Sequence, residues 1–260
     1  MKNYTQINAE TIDRWVEDGW CWGIPVSAEI CNKARNGEWD VLLTPTRPVP
    51  KDWFPPMPGT KLLGLASGGG QQMPIFSILG ADCTVMDLSD RQLESERLVA
   101  QREGYAINIV KADMTQPFPF PDSSFDVIFH PVSNCYIEDV YHVWRECYRV
   151  LKPGGILLSG LDNGINYLFD EFEQPLVVAN ALPYNPLKNP ALMEKLDSDD
   201  DGVQFSHTLD EQIGGQLKAG FVITGAYEDY NFDPANPTET DALYQLGIPT
   251  MWATKAVKPG

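Results

Sequence analysis

The chain has 260 residues, of which 43% are hydrophobic and 21% charged, so it is long enough to bury the core of one large domain. Its net charge of −17 disfavours nucleic acid and anionic membranes as partners, because proteins that bind phosphate groups usually carry a basic patch. No apolar run reaches the roughly 18 residues that a membrane-spanning helix needs, and residues 1–10 lack the apolar core of a signal peptide. We therefore expect a cytoplasmic protein.

The cysteines lie far apart, without a C-x-x-C pair, and their number is odd. This spacing argues against a disulfide framework and against a structural zinc site. We predict reduced, mostly buried thiols and no bound metal. The cysteines are Cys21, Cys31, Cys83, Cys135 and Cys147.

Residues 1–58 are predicted to form a lid segment wrapped over a domain at residues 59–260. A short helix is expected at residues 11–18, and repeated prolines break the aromatic stretch that follows it. Three tryptophans of this segment are candidates to close over a pocket and exclude water, and packing between lid and domain is the alternative. They are Trp15, Trp20 and Trp22.

From residue 61 onward, apolar runs alternate with helical patterns, which predicts a parallel, doubly wound α/β sheet. Strands are expected at residues 61–66, 82–88, 107–112, 125–130 and 156–161. Helices are expected at residues 72–79, 89–103 and 137–151, with a turn at 152–155. Residues 162–206 break the rhythm and are predicted to be an insertion after the fifth strand. The last elements are a helix at 209–219, capped by Gly220, and strands at 221–230 and 250–257.

A glycine-rich loop follows the first predicted strand and precedes a helix. It consists of Ala66, Ser67, Gly68, Gly69 and Gly70. Glycines allow the backbone to approach a ligand closely, and the helix N-terminus offers free N–H groups. A flexible turn without a ligand is the alternative explanation.

Two aspartates follow the next two strands. Asp87 ends the second strand, where a carboxylate can accept hydrogen bonds from both hydroxyls of a ribose. Asp113 follows the third strand, where it can accept from an adenine amino group while Met114 packs on the ring. A helix cap and an exposed loop residue are the alternatives for the two aspartates. Since carboxyl ends of parallel strands meet at one edge of a sheet, we expect loop and aspartates to lie together.

With these residues in place, residues 61–161 resemble the core of class I S-adenosylmethionine (SAM)-dependent methyltransferases of the ubiquinone/menaquinone-methyltransferase-like group. The matching segments are LLGLASGGG (62–70), VMDLSDRQL (85–93), KADMTQPFPFPDSSFDVIF (111–129) and ECYRVLKPGGILLSG (146–160). The segments WGIPVS and HPVSNCY also resemble an uncharacterised bacterial branch of these enzymes. The resemblance implies a Rossmann-like sheet of seven mostly parallel strands, with helices on both faces and the last strand antiparallel.

The resemblance also implies SAM as cofactor and S-adenosylhomocysteine as product. It places the loop at the methionine portion, Asp87 and Leu88 at the ribose, Asp113 and Met114 at the adenine, and His130 under the sulfonium. The candidate cofactor-binding residues are Ala66, Ser67, Gly68, Gly69, Gly70, Gln71, Asp87, Leu88, Gln92, Asp113, Met114 and His130.

Two positions depart from the family pattern. The family usually has an acidic residue where Gly64 stands, and a glycine where Ala66 stands. Without that acid, the amino group of SAM needs another partner, for which Ser67, Gln71 and Gln72 are candidates.

Residues that handle the methyl acceptor are expected after the fourth and fifth strands. Because an oxygen, nitrogen or acidic-carbon nucleophile often needs a base, His130 is the first candidate, with a structural role as the alternative. Asn134 and Tyr136 are expected to hold a polar acceptor or to organise their loop. After the fifth strand, the polar candidates are Asp162, Asn163 and Tyr167.

The predicted acceptor is a small molecule of unidentified structure, and the sequence does not indicate the oligomeric state. The residues after the fourth strand lack the Asn/Asp-Pro-Pro-Tyr motif, which disfavours methylation of adenine or glutamine nitrogen. Two other functions fit parts of the pattern. A SAM-binding sensor without catalysis would explain Gly64, whereas an NAD(P)-dependent oxidoreductase would need a small third residue where Met73 stands.

Overall fold

The computed structural model of the protein describes residues 3–169, 176–199, 202–231 and 242–260. Within these ranges the strands are β1 (Lys61–Leu65), β2 (Asp82–Asp87), β3 (Asn108–Lys111), β4 (Phe125–His130), β5 (Leu151–Asp162), β6 (Val222–Asp229) and β7 (Met251–Val257). The α-helices are α1 (Tyr4–Glu17), α2 (Ala28–Arg35), α3 (Gln72–Ile78), α4 (Asp90–Glu103), α5 (Val140–Val150), α6 (Pro190–Asp199), α7 (Gly215–Ala219) and α8 (Ala242–Gln245).

The strands form one sheet in the order β3-β2-β1-β4-β5-β7-β6. Strands β1 to β5 are parallel to one another, whereas β7 runs antiparallel to both β5 and β6. The predicted Rossmann-like sheet of seven strands with an antiparallel last strand is therefore confirmed. The chain order reverses between β1 and β4, so a crevice is expected at the carboxyl ends of these two strands.

The inner strands are buried on both faces because helices cover both sides of the sheet. In β1, Leu62 belongs to the apolar cluster that contains Phe76 and Phe129, whereas Leu63 belongs to the cluster of Trp144 on the opposite face. These five side chains are fully buried. Successive side chains of a strand point to opposite faces, so a short apolar run contributes to both cores. Burial on both faces holds β1 and β4 in the middle of the sheet.

Helix α1 begins at Tyr4, well before the expected start at residue 11. Its first half buries the polar side chains of Thr5 and Asn8 against the rest of the protein. The buried stripe is polar, so no apolar repeat marks it in the sequence, which is why the predicted helix was too short.

Strand β5 begins at Leu151 and includes residues 152–155, which were expected to form a turn outside the sheet. The pairing with β4 shifts register in this region, so these residues form a bulge. Gly154 has a φ of +78°, and its N–H donates to the carbonyl of Lys258 over 2.8 Å. This bond to the chain just beyond β7 keeps the bulge in the sheet.

The helix expected at residues 209–219 starts with a π-helical turn, Asp210–Gly214, and continues as α7. The indole N–H of Trp144 donates to the carbonyl of Glu211 over 3.0 Å, which draws one carbonyl of this turn away from the helix axis. The helix ends at Gly220, whose φ is +107°, as predicted from its glycine.

The predicted insertion at residues 162–206 follows β5 and consists of short turns and helix α6. Residues 170–175 and 200–201 of this insertion lie outside the described residues. None of the helices in the described part of the chain has the length and hydropathy that crossing a membrane requires.

Candidate active site

A cavity of about 500 Å³ lies at the carboxyl ends of β1 to β5, a volume within the range of roughly 300–1,000 Å³ that ligand pockets occupy. Helix α1 and residues 42–45 line it from the N-terminal segment, and parts of the insertion line it beyond β5. The residues that line it at or just beyond the five strand ends include Ala66, Asp87, Asp113, Pro131 and Asp162.

Most of the predicted cofactor-binding residues lie in the wall of this cavity. They are Ala66, Ser67, Gly68, Gln71, Asp87, Leu88, Gln92, Asp113 and Met114. Gly69 and Gly70 are not among the described lining residues, since their N–H groups donate to the backbone carbonyl of Gln92 and to Oε1 of Glu96, over 2.9 and 2.8 Å. These two glycines tie the loop to α4 and do not face the cavity.

The loop after β1 needs small residues because the backbone passes close to α4. A Cβ atom on Gly68 would lie 2.6 Å from Cβ of Gln92 and 3.0 Å from Oδ2 of Asp87. The N–H of Gly68 donates to that same carboxylate oxygen over 3.0 Å. The loop and the acidic residue of β2 are therefore one unit, and a side chain at position 68 would separate them.

The structure explains why no acidic residue stands at position 64. A Cβ atom on Gly64 would lie 2.4 Å from Sδ of Met73, so the Met73 side chain occupies the space that an acid would need. Two of the three residues expected to replace the missing acid already bind the N-terminal segment. Gln71 Nε2 donates to the carbonyls of Cys21 and Ile24, and Gln72 Oε1 accepts from the N–H of Leu42. The hydroxyl of the third, Ser67, is buried and lacks a hydrogen-bond partner within the described ranges.

The two aspartates after β2 and β3 are held by backbone N–H groups. Asp87 accepts from Gly68 and from Ser89, each over 3.0 Å, and burial raises the pKa of its carboxyl. Asp113 Oδ1 accepts from the N–H and the hydroxyl of Thr115, over 2.8 and 2.7 Å. Each carboxylate keeps acceptor capacity for a ligand, because an ionised carboxylate has about four acceptor positions.

The structure places His130 and Asn134 beneath the cavity, outside the described lining residues. His130 is fully buried, its Nδ1 lies 3.0 Å from the carbonyl oxygen of Leu65, and its Nε2 lies 2.8 Å from Oδ1 of Asn134. The Asn134 amide also donates to Gln212 over 3.1 Å. Burial lowers the pKa of His130. A general base must reach the proton it removes, so this geometry does not support the predicted catalytic role of either side chain.

Tyr136 is the predicted acceptor-side residue after β4 that does line the cavity. After β5, Asp162 and Tyr167 line it as well, together with Asn166. Asn163 is not among the described lining residues, and its side-chain amide donates to the carbonyl of Pro249 over 2.9 Å. The end of β5 therefore contributes several of the polar groups that line the cavity.

Sequence reasoning missed the part that α1 contributes to the wall, where Thr5, Asn8 and Ile12 lie on one face of the helix. Asn8 binds Val203 with both side-chain atoms, donating to its carbonyl over 2.8 Å and accepting from its N–H over 2.6 Å. It also donates to the carbonyl of Tyr136 over 3.0 Å. Two of the three residues are polar, so no apolar repeat in the sequence marks this face.

The tryptophans of the N-terminal segment were expected either to close over a pocket or to pack between lid and domain. Trp20 and Trp22 line the cavity, as the predicted lid would require. Trp15 instead packs against Trp20, with ring centroids 5.3 Å apart.

Known proteins share both the sequence and the fold. Residues 63–159 match the family model described as a methyltransferase domain. The chain is 47% identical over 227 residues to the uncharacterized methyltransferase YbaJ of Bacillus subtilis (strain 168), and this match covers 85% of the chain and 89% of that protein. This chain is a class I SAM-dependent methyltransferase.

More distant proteins share parts of the chain. A sterol 24-C-methyltransferase, erg6, of Aspergillus fumigatus is 35% identical over 101 residues, which is 38% of this methyltransferase and 26% of that protein. The crystal structure of a SAM-dependent methyltransferase from Mesorhizobium loti has a TM-score of 0.62 at 20% identity, covering 80% of this chain and 94% of that chain. The first likeness is limited to part of the sequence, and the second shows a shared fold.

The enzyme uses SAM as its methyl donor, and unsatisfied polar atoms in the cavity wall fit such a ligand. Ser67 Oγ and Gln92 Oε1 are buried and have no hydrogen-bond partner among the described residues, and both residues line the cavity. A buried polar atom without a hydrogen-bond partner destabilises the folded protein. A polar ligand that bonds to these two atoms would remove that cost. Family membership also removes the nicotinamide-dependent oxidoreductase as an explanation of the glycine-rich loop.

Proposed function

We propose that this methyltransferase transfers the methyl group of SAM to a small molecule held in the cavity beneath α1 and the insertion. The observation that carries the proposal is the continuous wall from the cofactor residues at β1 to β3 to the polar residues at the end of β5. Neighbouring strands lie about 4.8 Å apart. An acceptor bound at the ends of β4 and β5 would therefore lie directly beside SAM bound at the ends of β1 to β3. A covered cavity of this size suits a small acceptor better than a macromolecule.

We assign the cofactor half of the cavity residue by residue. Asp87 accepts hydrogen bonds from the ribose hydroxyls, and Asp113 accepts from the adenine amino group while Met114 packs on the ring. The methionine portion lies against the backbone of the glycine-rich loop. The hydroxyl of Ser67, which has no partner in the described structure, supports a contact with the SAM amino group in place of the missing acid at Gly64.

The acceptor half is proposed to be closed by residues 1–58 and 162–206, acting as lid and cover. Closure excludes water and brings the reacting atoms together, which is the main contribution an enzyme makes to an in-line displacement on an activated carbon. The cysteines are all free and four of them are buried, which supports a reducing, cytoplasmic location. The net charge of −17 supports the absence of a nucleic acid partner.

The proposal is tested by incubating the enzyme with methyl-labelled SAM and an extract of Bacillus subtilis, separated beforehand by ultrafiltration into small molecules and macromolecules. We expect enzyme-dependent label in the small-molecule fraction. Label in protein or nucleic acid alone would contradict a small acceptor. Binding of SAM without labelled product in either fraction would favour the non-catalytic sensor.

A further inference from the structure

We propose that the methyl acceptor is a small amine whose nitrogen is held by Asp162 and by the side-chain oxygen of Asn166, with Asp162 accepting the proton that the nitrogen loses. This inference rests on the proposed transfer to a small molecule, and it names the chemical class of that molecule. It also makes Asp162 the catalytic base, a role that sequence reasoning gave to His130.

Asp162 is the carboxylate at the end of β5, and it faces the cavity although only 6% of its surface is exposed. Its Oδ1 accepts from the N–H of Gly164, and its Oδ2 accepts from Nδ2 of Asn166 over 3.0 Å. These two bonds fix the carboxylate on the turn that follows β5. Both oxygens retain a lone pair that can accept a hydrogen bond from a ligand.

Asn166 presents an acceptor beside this carboxylate. Its Nδ2 must face Asp162, since a carboxylate oxygen cannot donate, so the orientation of the amide group is fixed. Its Oδ1 is buried and has no hydrogen-bond partner in the described part of the chain, and the residue lines the cavity. A ligand group at this position would therefore have to donate hydrogen bonds to both Asp162 and Asn166. A protonated primary or secondary amine has three or two N–H donors, whereas a hydroxyl has one and an acidic carbon has none.

The electrostatic surroundings favour a cation. Asp87, Asp113 and Asp162 all line the cavity, and Lys195, which is exposed, is the basic residue among the described lining residues. The net charge of −17 extends this negative potential beyond the cavity. Next to Asp162, the rings of Tyr167 and Tyr184 stack with centroids 5.2 Å apart and give an aromatic wall, which suits the alkyl or aryl part of an amine.

The transfer balances with these groups alone. A proton passes from the bound ammonium to the Asp162 carboxylate, which frees the lone pair of the amine nitrogen. That pair forms the new N–CH₃ bond while the S–CH₃ bond of SAM breaks, and the electron pair of the broken bond remains on sulfur as S-adenosylhomocysteine. The product is the methylated ammonium ion, and Asp162 then releases its proton to solvent.

The state of Asp162 should appear in the pH dependence of the reaction. Burial raises the pKa of its carboxyl to about 6, even though Gly164 and Asn166 stabilise the ionised form. Among the described residues, the other titratable groups that face it are the buried Cys135 and the partly buried Tyr167, and desolvation raises the pKa of each. Only the ionised carboxylate accepts a proton, so kcat/KM should rise as the pH increases through about 6.

The test uses the labelled-SAM incubation with the small-molecule fraction of Bacillus subtilis extract, and mass spectrometry locates the new methyl group on nitrogen, oxygen, sulfur or carbon. We expect N-methylated amines. Asp162→Asn should lower the rate of product formation by about 100-fold or more, the size of general-base contributions, and should abolish the rise through about pH 6. Asn166→Ala should raise KM by about tenfold with a smaller effect on kcat.

The matched control is Asp210→Asn, because Asp210 is exposed and outside the described cavity lining. It should retain wild-type activity, and all variants should retain their affinity for S-adenosylhomocysteine, which shows that they are folded. Products methylated on oxygen, sulfur or carbon would overturn the amine inference and leave the proposed function intact, as would full activity of Asp162→Asn. The absence of any labelled small molecule would overturn the proposed function itself.

Discussion

At position 66, where β1 enters the glycine-rich loop, the backbone has a φ of +46°. An alanine in this left-handed conformation is strained by roughly 1–2 kcal/mol, whereas a glycine adopts it without a steric penalty. Ala66→Gly should therefore raise the free energy of unfolding by about 1 kcal/mol, measured by urea denaturation. Ala100→Gly within α4 is the matched control and should lower it by about 1 kcal/mol. An equal loss in both variants would show that Ala66 is not strained.

Glu96 gives the enzyme a stability that depends on pH. It is fully buried, its Oε1 accepts from the N–H of Gly70 over 2.8 Å, and burial raises the pKa of its carboxyl to about 8. The folded pKa exceeds the unfolded value, so the native state binds the proton more tightly. Stability should therefore fall as the pH rises from about 5 to about 8.

Glu96→Gln should remove much of that decline, because glutamine keeps the acceptor for Gly70 and cannot ionise. At pH 8 we expect it to raise the free energy of unfolding by about 2–4 kcal/mol, with little effect at pH 5. Denaturation of both proteins over this pH range is the measurement, and Glu94→Gln, on the exposed side of α4, is the control. Parallel pH profiles for wild type and Glu96→Gln would show that Glu96 ionises as in water.

At the scale of elements, Asn8 is one of the side chains that hold α1 in place. Asn8 binds the backbone of Val203 in both directions and the carbonyl of Tyr136, and these bonds join the N-terminal segment to the end of the insertion. Without the amide, those buried backbone groups lose their partners.

Asn8→Ala should therefore loosen the segment at residues 202–206, because that segment loses its bonds to α1. Amide hydrogen exchange in these residues should become about ten times faster or more, since a lost buried bond costs roughly 1–3 kcal/mol. Asn32→Ala in α2 should leave this exchange unchanged, because the Asn32 side chain accepts from exposed Arg35 and lies far from residues 202–206 in sequence. Unchanged exchange in Asn8→Ala would mean that α1 does not secure the cover.

Elements whose pattern is local could be predicted from the sequence. Strands β1 and β4 are short apolar runs that fill both cores, and their identity and order followed directly. The π turn before α7 could not be predicted, because it depends on Trp144, which reaches the Glu211 carbonyl from a distant part of the chain. The bulge in β5 likewise depends on the bond from Gly154 to Lys258.

At the scale of the whole molecule, the cofactor half of the site depends on local sequence patterns, whereas the acceptor half depends on contacts between distant parts of the chain. The cofactor half combines loops that directly follow β1, β2 and β3, so spacing along the chain was enough to suggest it. The acceptor half combines α1, the end of β5 and the insertion, and only the folded chain brings Asn8 and Asp162 to one cavity. His130 was predicted to be a base because of its residue type. In the structure it is fully buried, and its ring nitrogens face Leu65 and Asn134.

The measurement that tests the account most directly is calorimetric titration of the enzyme with S-adenosylhomocysteine, with NADH as the control ligand. We predict one binding site for S-adenosylhomocysteine and none for NADH. Asp87→Asn should weaken binding by about 1–3 kcal/mol, and Asp90→Asn, an exposed neighbour paired with Lys111, should not. Absence of S-adenosylhomocysteine binding, or equal affinity in Asp87→Asn, would contradict the assignment of this cavity as the SAM site.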